Sequence, residues 1–440
     1  MPEWLIGFAR TRITPPLGCE MAGFDARKGV ADAVHDDLYA HALVFDDDGA
    51  QTVLMSLDVI AVSAEFSLAV RRDIEEATGI PASNIFLAAT HTHCGPVTVD
   101  LFYQGQQLDV AYLQSLRRVV VTVAITASNN KRPRTLKTGM VPVAGIAVNR
   151  RTPDGLPVDP FAGVFFIEEL DGQAAAVAVI YACHTTVLGP DTLSFTQDFP
   201  FYTLAKLKSV LGQSVEALYF NGAQGDLSIG HKSNLSAVGV IDPFRTFATA
   251  QRLGERLADA VLAGLKNLAL EAPGVKVLSH KVALPLKRYE PLVAMTQARE
   301  EAGRRIDPQR MDAEMLAIRQ DSLFARIEEY YAKLYEQSDA PEPKTLSIEC
   351  AAILLGETAI ITLPGEVFAR VALGIRAASP FAKTIFLGLT NNYIGYLPDH
   401  EATRDSGYEV VASRVSAIAG DILQQETLQL LNALQKASAR

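Results

Sequence analysis

The sequence has few cysteines and no long apolar run, and both absences narrow the class of protein. Four widely spaced cysteines in 440 residues, without a Cys-x-x-Cys pair, indicate reduced thiols rather than a disulfide framework. No apolar stretch approaches the roughly 18 to 20 residues that span a bilayer. The amino terminus also lacks the basic and apolar regions of a signal peptide. We therefore expect a cytoplasmic protein without a transmembrane segment, or a secreted one if a leader has been removed.

An excess of basic residues is also absent. The net charge is −10 and no block of lysine and arginine offsets it, which argues against a nucleic-acid partner. Hydrophobic residues make up 49% and charged residues 20%, a balance typical of a globular protein with a large core. No low-complexity segment or proline-rich linker marks a boundary, so we predict a single domain over residues 1–440. The sequence leaves the oligomeric state open.

A histidine motif at the end of an apolar run is the most informative feature that is present. Residues 90–96 read Thr-His-Thr-His-Cys-Gly-Pro, directly after Ile85–Ala89, which we predict to be a buried strand. Extended geometry would point His91 and His93 in the same direction. Imidazole is the commonest protein ligand for metals and the usual general base near neutral pH. By itself, however, the motif fits two surface histidines in a turn equally well.

Three segments share one pattern: a hairpin, a helix and a further strand, followed by a polar loop. They are residues 42–93, 163–228 and 348–396. Each has a polar residue where the second hairpin strand ends: Asp58, His184 and Glu366. We predict an α/β fold of mixed sheets with flanking helices. If the strand ends converge, His91, His184 and Glu366 form a possible metal cluster.

The segment from about 290 to 340 differs from the three units because it is highly charged and has helical spacing. We predict one or two amphipathic helices inserted into the fold. Such an insertion is either a solvated helical excursion or a lid or wall over the site. The carboxyl end, residues 412–439, is also predicted to be helical.

The histidine motif resembles the THTHSGP motif of the neutral/alkaline non-lysosomal ceramidases. Further family-like motifs occur in the family's order, from residue 7 to about residue 420. They are residues 7–16, 148–150, 182–184, 221–228, 363–366, 393–396 and 407–409. The resemblance implies the fold of the family's catalytic domain. It also implies a zinc ion held by His91, His184, Glu366 and Tyr396, with Tyr393 as the alternative tyrosine.

The resemblance implies four further site residues: His93, Arg150, Ser228 and Tyr408. His93 is too close along the chain to His91 to be a second ligand of one ion in good tetrahedral geometry, which favours a role as base or hydrogen-bond donor. Arg150 and Tyr408 would stabilise a developing negative charge.

The sequence also departs from the family pattern. Ile-Gly follows Ser228 where the family has Pro-Asn, and Cys94 replaces a serine. The chain ends soon after the last motif, so we expect no carboxyl-terminal β-sandwich domain. Local alternatives stay open: His184 as a buried core histidine, Glu366 as an acid at a helix N-terminus, and the tyrosines as ordinary partly buried residues. Asp226 would orient its loop or a ligand histidine.

These features predict a zinc-dependent hydrolase of N-acyl amide bonds. Water or Ser228 would attack a zinc-polarised carbonyl of a small-molecule or lipid-like substrate. One alternative keeps the metal scaffold but hydrolyses an ester, lactone or glycosidic bond of a small soluble substrate. A second alternative is a non-catalytic protein that binds a lipid or carbohydrate.

Overall fold

The computed structural model describes residues 3–101, 107–151, 157–339, 341–405 and 407–438. Its strands are β1 (Trp4–Arg12), β2 (Ala33–Val34), β3 (Tyr39–Asp46), β4 (Gln51–Leu57), β5 (Ile85–Ala89), β6 (Arg132–Pro142), β7 (Val148–Asn149), β8 (Phe161–Glu168), β9 (Ala174–Tyr181), β10 (Ser194–Phe195), β11 (Glu216–Asn221), β12 (Leu227–Ser228), β13 (Ala269–Glu271), β14 (Val275–Pro285), β15 (Thr345–Leu355), β16 (Thr358–Thr362), β17 (Glu366–Val367), β18 (Lys383–Leu387) and β19 (Tyr396–Leu397). Its helices are α1 (Ala64–Thr78), α2 (Val110–Asn129), α3 (Phe199–Leu211), α4 (Ser233–Ala237), α5 (Phe247–Gly264), α6 (Leu292–Arg304), α7 (Ala313–Glu336), α8 (Ala369–Ala378), α9 (Tyr408–Val411) and α10 (Ala419–Ser438).

Two sheets form the centre of the fold. The larger has nine strands in the order β11-β9-β8-β6-β1-β3-β4-β5, with β13 paired to β6. The smaller has the order β14-β15-β16-β18. Apolar residues of both sheets, including Phe45, Phe165 and Ile353, belong to one buried cluster between them. The mixed α/β fold predicted from the sequence is confirmed.

The three predicted units have the same strand pairing. In each, an antiparallel hairpin (β3–β4, β8–β9 or β15–β16) is followed by a helix and by a strand parallel to the second hairpin strand. The ends of the three final strands meet. The Gly388 amide donates to the Asn221 carbonyl at 2.9 Å, and the Ala89 amide donates to the Leu389 carbonyl at 3.2 Å. The loops after these strands therefore share one region of the molecule.

Two of the strands end earlier than the sequence pattern predicts, and none of the three continues through its site residue in extended geometry. Strand β5 ends at Ala89, and His91 has a φ of 64°, so the extended geometry does not continue through the histidine motif. Strand β9 ends at Tyr181, before His184, and Glu366 lies outside β16, in the short β17. These residues leave the hydrogen-bond ladders of the two main sheets because their backbone amides donate to carbonyls elsewhere in the chain. The His91 amide donates to Val59, the His184 amide to Leu227 and the Glu366 amide to Gly395, each at 3.0 Å.

Helix α2 is long and apolar enough to cross a membrane by length and composition, which the sequence analysis did not anticipate. It packs on β1 and β3, and its buried residues Leu116 and Val120 lie in a core cluster with strand residues. The approach is close at Gly7, where a Cβ would lie 1.9 Å from the Ala127 carbonyl oxygen. The face of α2 that packs on the sheet accounts for part of its apolar composition.

The charged segment from about 290 to 340 contains α6 and α7, which pack on each other. Leu323, Ile327 and Tyr331 of α7 are buried in one cluster with Phe368 and Tyr396. Helix α7 therefore forms a wall behind Tyr396. The alternative of a solvated helical excursion does not account for this buried face of the helix.

Candidate metal centre

Three histidines from two loops meet where the strand ends converge. His91, His93 and His184 each offer a ring nitrogen, and these nitrogens lie within 4.8 Å of one another. His91 and His184 are buried, and His93 is partly exposed. His91 adopts the left-handed conformation, which is uncommon for residues other than glycine and often occurs at functional sites. That turn brings His93 into the cluster, so the spacing argument against His93 as a ligand does not hold geometrically.

Backbone carbonyls fix the tautomers of two of these histidines. His91 Nδ1 lies 2.7 Å from the Ile60 carbonyl oxygen. His184 Nδ1 lies 2.9 Å from the carbonyl oxygens of both Gln224 and Leu227. Because a carbonyl only accepts, Nδ1 carries the proton in each ring. The Nε2 lone pairs of both rings are therefore available to a cation, as in many metal sites.

Glu366 faces these lone pairs. Its Oε2 lies 2.8 Å from His184 Nε2 and 3.5 Å from His91 Nε2, and its Oε1 accepts a hydrogen bond from the Tyr393 hydroxyl at 2.7 Å. Burial raises the pKa of Glu366, but the adjacent histidines outweigh this and hold the pKa well below its ordinary value. Burial, followed by the charge of Arg150, lowers the pKa of His184 to about 4. A carboxylate oxygen thus lies opposite ring nitrogens whose Nδ1 partners are bonded to backbone carbonyls.

The donor set fits a bound cation. Two ligands of a tetrahedral zinc ion lie about 3.3 Å apart when the bonds are about 2.0–2.1 Å long, and the two Glu366 contacts bracket that separation. His91 Nε2 and both ring nitrogens of His93 are also buried without a hydrogen-bond partner among the described residues. Each unsatisfied buried group costs about 1–3 kcal/mol, which coordination would offset. The imidazole nitrogens and the carboxylate oxygen indicate a divalent transition metal of the kind that binds such ligands.

Arg150 lies next to this cluster and is held on several sides. Its Nε donates to Glu409 at 2.6 Å, and its Nη2 donates to the Gly225 carbonyl and to the Tyr396 hydroxyl oxygen at 3.0 Å each. Burial lowers the pKa of Arg150, but Tyr396 and Glu409 outweigh this and raise it. Tyr396, predicted as a ligand, thus contacts Arg150, whereas Tyr393 contacts Glu366. The role of Tyr396 as a ligand stays a prediction.

Ser228 follows Leu227, whose carbonyl lies 2.9 Å from His184 Nδ1, but the Ser228 hydroxyl bonds within its own turn. It is fully buried, donates to the His231 carbonyl at 3.2 Å and accepts from the Gly230 amide at 3.2 Å. Tyr408, in contrast, lies beside the site, with its ring 5.9 Å from that of Tyr396.

The buried carboxylates of the loops have supporting roles. Asp58, the third polar residue that ends a hairpin, accepts from the Tyr39 amide at 2.8 Å and does not join the cluster. Asp226 accepts from the Asn149 side chain at 2.6 Å and from the Ala369 amide at 2.8 Å, which ties two loops together. Burial raises the pKa of both carboxyl groups to about 6.

Sequence reasoning missed several residues of the site. Glu409 holds Arg150, and a signal was available because it follows Tyr408 in the same motif. Arg27 donates to the His93 carbonyl at 2.8 Å. Gly23, with a φ of 100°, packs against the His93 ring, where a Cβ would lie 2.4 Å from Cγ. Nothing local in the sequence marks Arg27 or Gly23.

Two neighbouring cavities that share lining residues lie beside the cluster. The inner cavity, of about 40 Å³, is lined by residues that include His93, His231 and Tyr396. The outer cavity, of about 480 Å³, is lined by residues that include Arg151, Lys232, Arg370 and Asp399. Both are lined by Arg150, Ser233 and Tyr408, so the outer cavity leads towards the histidines.

The fold and the site together define a mixed α/β protein with a buried histidine–carboxylate centre of the metal-binding type, next to a cavity. Residues 4–154 match the family model described as neutral/alkaline non-lysosomal ceramidase, N-terminal. Among curated proteins, no sequence matches this chain.

Two solved structures have the same fold. Neutral ceramidase from Pseudomonas aeruginosa superposes with a TM-score of 0.75 at 16% identity, covering 99% of this chain and 75% of that one. A structure described as ceramidase complexed with C2 gives a TM-score of 0.73 at 16% identity, covering 99% of this chain and 76% of that one. The resemblance to the neutral/alkaline ceramidase family is confirmed, by the family model over the first third of the chain and by the fold over nearly all of it.

Proposed function

We propose that this protein is a zinc-dependent hydrolase of N-acyl amide bonds. The observation that carries the proposal is the convergence of the Glu366 carboxylate and His184 Nε2 at 2.8 Å, with His184 Nδ1 bonded to backbone carbonyls. Two or three histidines with one carboxylate are the usual ligands of catalytic zinc. The similarity to neutral ceramidase favours an amide bond and makes ceramide the first substrate to test.

In this proposal His91, His184 and Glu366 hold the ion. A bound zinc ion lowers the pKa of a coordinated water and polarises a substrate carbonyl. Burial, followed by the neighbouring histidines, lowers the pKa of His93 well below its usual value, so the ring is neutral. His93 also lines the inner cavity. One of its ring nitrogens is thus placed to accept the proton of the attacking water.

Arg150 would stabilise the negative charge that develops on the carbonyl oxygen. Its guanidinium is buried, is fixed by Glu409 and lies at the junction of the two cavities. Because the group is already oriented, little reorganisation is needed when the charge forms, and loss of one such donor typically costs about 10²–10³ in rate.

Water is the proposed nucleophile. The Ser228 hydroxyl donates to the His231 carbonyl within its own turn, and Ser228 does not line either cavity among the described residues. Attack by Ser228 would require that turn to rearrange. Hydrolysis then consumes one water and releases a carboxylic acid and an amine.

The experiment combines metal analysis with hydrolysis of N-acetylsphingosine and soluble N-acetyl amides. A His91→Ala variant is expected to lose both bound zinc and hydrolysis. The matched control is His280→Ala, a partly exposed histidine on β14 that contacts Glu426, and this variant should retain both. Hydrolysis by the His91→Ala variant at the unmodified rate would contradict the proposal.

A further inference from the structure

The outer cavity is lined mainly by charged side chains. Among the described residues, three arginines and a lysine, together with aspartates and glutamates, line about 480 Å³. Apolar surface comes from Pro157, Ala402, the ring of Tyr408 and the aliphatic parts of the charged side chains. A space of this size suits a small molecule.

Some of these charges are already paired, one pair being buried and the other exposed. Glu409 and Arg150 are both buried and lie 2.6 Å apart. Arg370 contacts Glu401 at 2.5 Å and Asp399 at 3.7 Å. An alkyl chain placed against such groups would remove their hydration and give no hydrogen bond in return, which is unfavourable. Hydroxyl, carboxylate or ammonium groups of a ligand would replace the lost water contacts.

The charge pattern also suits the products of the reaction. Hydrolysis of an amide releases an amine, which takes up a proton near neutral pH. The outer cavity offers the Asp405 carboxylate to that ammonium group, while Asp399 and Glu409 already face arginines. The amine portion of the substrate would therefore occupy the outer cavity while the scissile carbonyl lies near His93.

We infer that the substrate is a small, water-soluble N-acyl compound whose amine portion is rich in hydrogen-bonding groups, rather than an amide of a long-chain sphingoid base. The inference rests on the proposed amide hydrolysis and deepens it by naming the substrate class. The exposed Lys232, which precedes α4 and lines the outer cavity, contacts polar groups of this amine portion.

The test uses the full-length, zinc-loaded protein and three substrates with the same acetyl group: an N-acetylated amino sugar, an N-acetylated amino acid and N-acetylsphingosine. The expected result is a kcat/KM for at least one soluble amide about tenfold or more above that for N-acetylsphingosine. A kcat/KM for N-acetylsphingosine equal to or above both soluble values would overturn the inference and leave the proposed function intact. Hydrolysis of none of the three by the zinc-loaded protein would overturn both.

A variant links the result to the outer cavity. Lys232→Met is expected to raise the KM for the preferred soluble amide about threefold to tenfold, with little change in kcat, because one charged hydrogen bond is lost. Lys206→Met, at a surface lysine of α3 that pairs with Asp259, is the matched control and should leave KM unchanged. An unchanged KM in Lys232→Met would contradict the assignment of the outer cavity.

Discussion

Replacement of Glu366 by glutamine should have opposite effects with and without metal. In the metal-free protein, where His184 Nδ1 bonds to backbone carbonyls, a buried carboxylate oxygen of Glu366 lies 2.8 Å from Nε2 of the same ring. A carboxamide at this position can donate a hydrogen bond to that nitrogen and carries no buried charge. Since a buried unsatisfied group costs about 1–3 kcal/mol, the metal-free Glu366→Gln variant should be at least as stable as the unmodified protein.

With zinc the order should reverse. Changing a residue that only orients a metal ligand weakens binding about 10–100-fold, so losing the carboxylate ligand itself should cost about 100-fold. At a zinc concentration of about a thousand times the native Kd, the ion stabilises the native protein by about 4.1 kcal/mol and the variant by about 1.4 kcal/mol. With an unfolding entropy of about 0.9 kcal/mol/K for 440 residues, the difference of about 2.7 kcal/mol lowers Tm by about 3 °C.

The assay is thermal unfolding of both proteins after chelation and again at a fixed free zinc concentration, together with a zinc titration. Glu426→Gln, a partly exposed glutamate that contacts His280, is the control and should show the native response to zinc. The reasoning is refuted if Glu366→Gln binds zinc as tightly as the unmodified protein. It is also refuted if the metal-free variant is less stable than the unmodified protein.

Three further changes test other parts of the site. Ser228→Ala should keep kcat within the same order of magnitude in steady-state assays, because the hydroxyl bonds within its own turn, and loss of nearly all activity would instead identify Ser228 as the nucleophile. Arg150→Lys should lower kcat about 10²–10³-fold at unchanged zinc content, because an ammonium cannot make the bonds to Glu409 and Tyr396 together; a native rate would rule out that role. The pKa of Asp58 is about 6 in the folded protein, above the value of about 3.9 in the unfolded chain. The contribution of Asp58 to the free energy of unfolding is therefore complete below about pH 4 and is lost as the pH rises through about 6. Asp58→Asn, measured by unfolding free energy at pH 4.5 and 7.5, should therefore gain about 2 kcal/mol relative to the unmodified protein as pH rises, and a pH-independent difference would count against the buried ionisation.

Local patterns in the sequence predicted the elements and several site residues. The apolar run Ile85–Ala89 is strand β5 with the predicted bounds, and α10 (Ala419–Ser438) lies within the predicted helical residues 412–439. Such features depend on neighbours a few residues away, so periodicity and capping residues reveal them. The motif order likewise brought His91, His184 and Glu366 forward together as one set.

Only the tertiary structure decided how these residues face one another. Whether His93 joins the cluster depends on the left-handed backbone conformation of His91. The His91 amide donates a hydrogen bond to the Val59 carbonyl in that conformation. The inward-turned hydroxyl of Ser228 and the pairing of Arg150 with Glu409 arise from loops that are far apart in the chain. The charged lining of the outer cavity has the same origin. Residue types and local periodicity determined the candidate ligands, and contacts between distant loops decided which atoms point into the site.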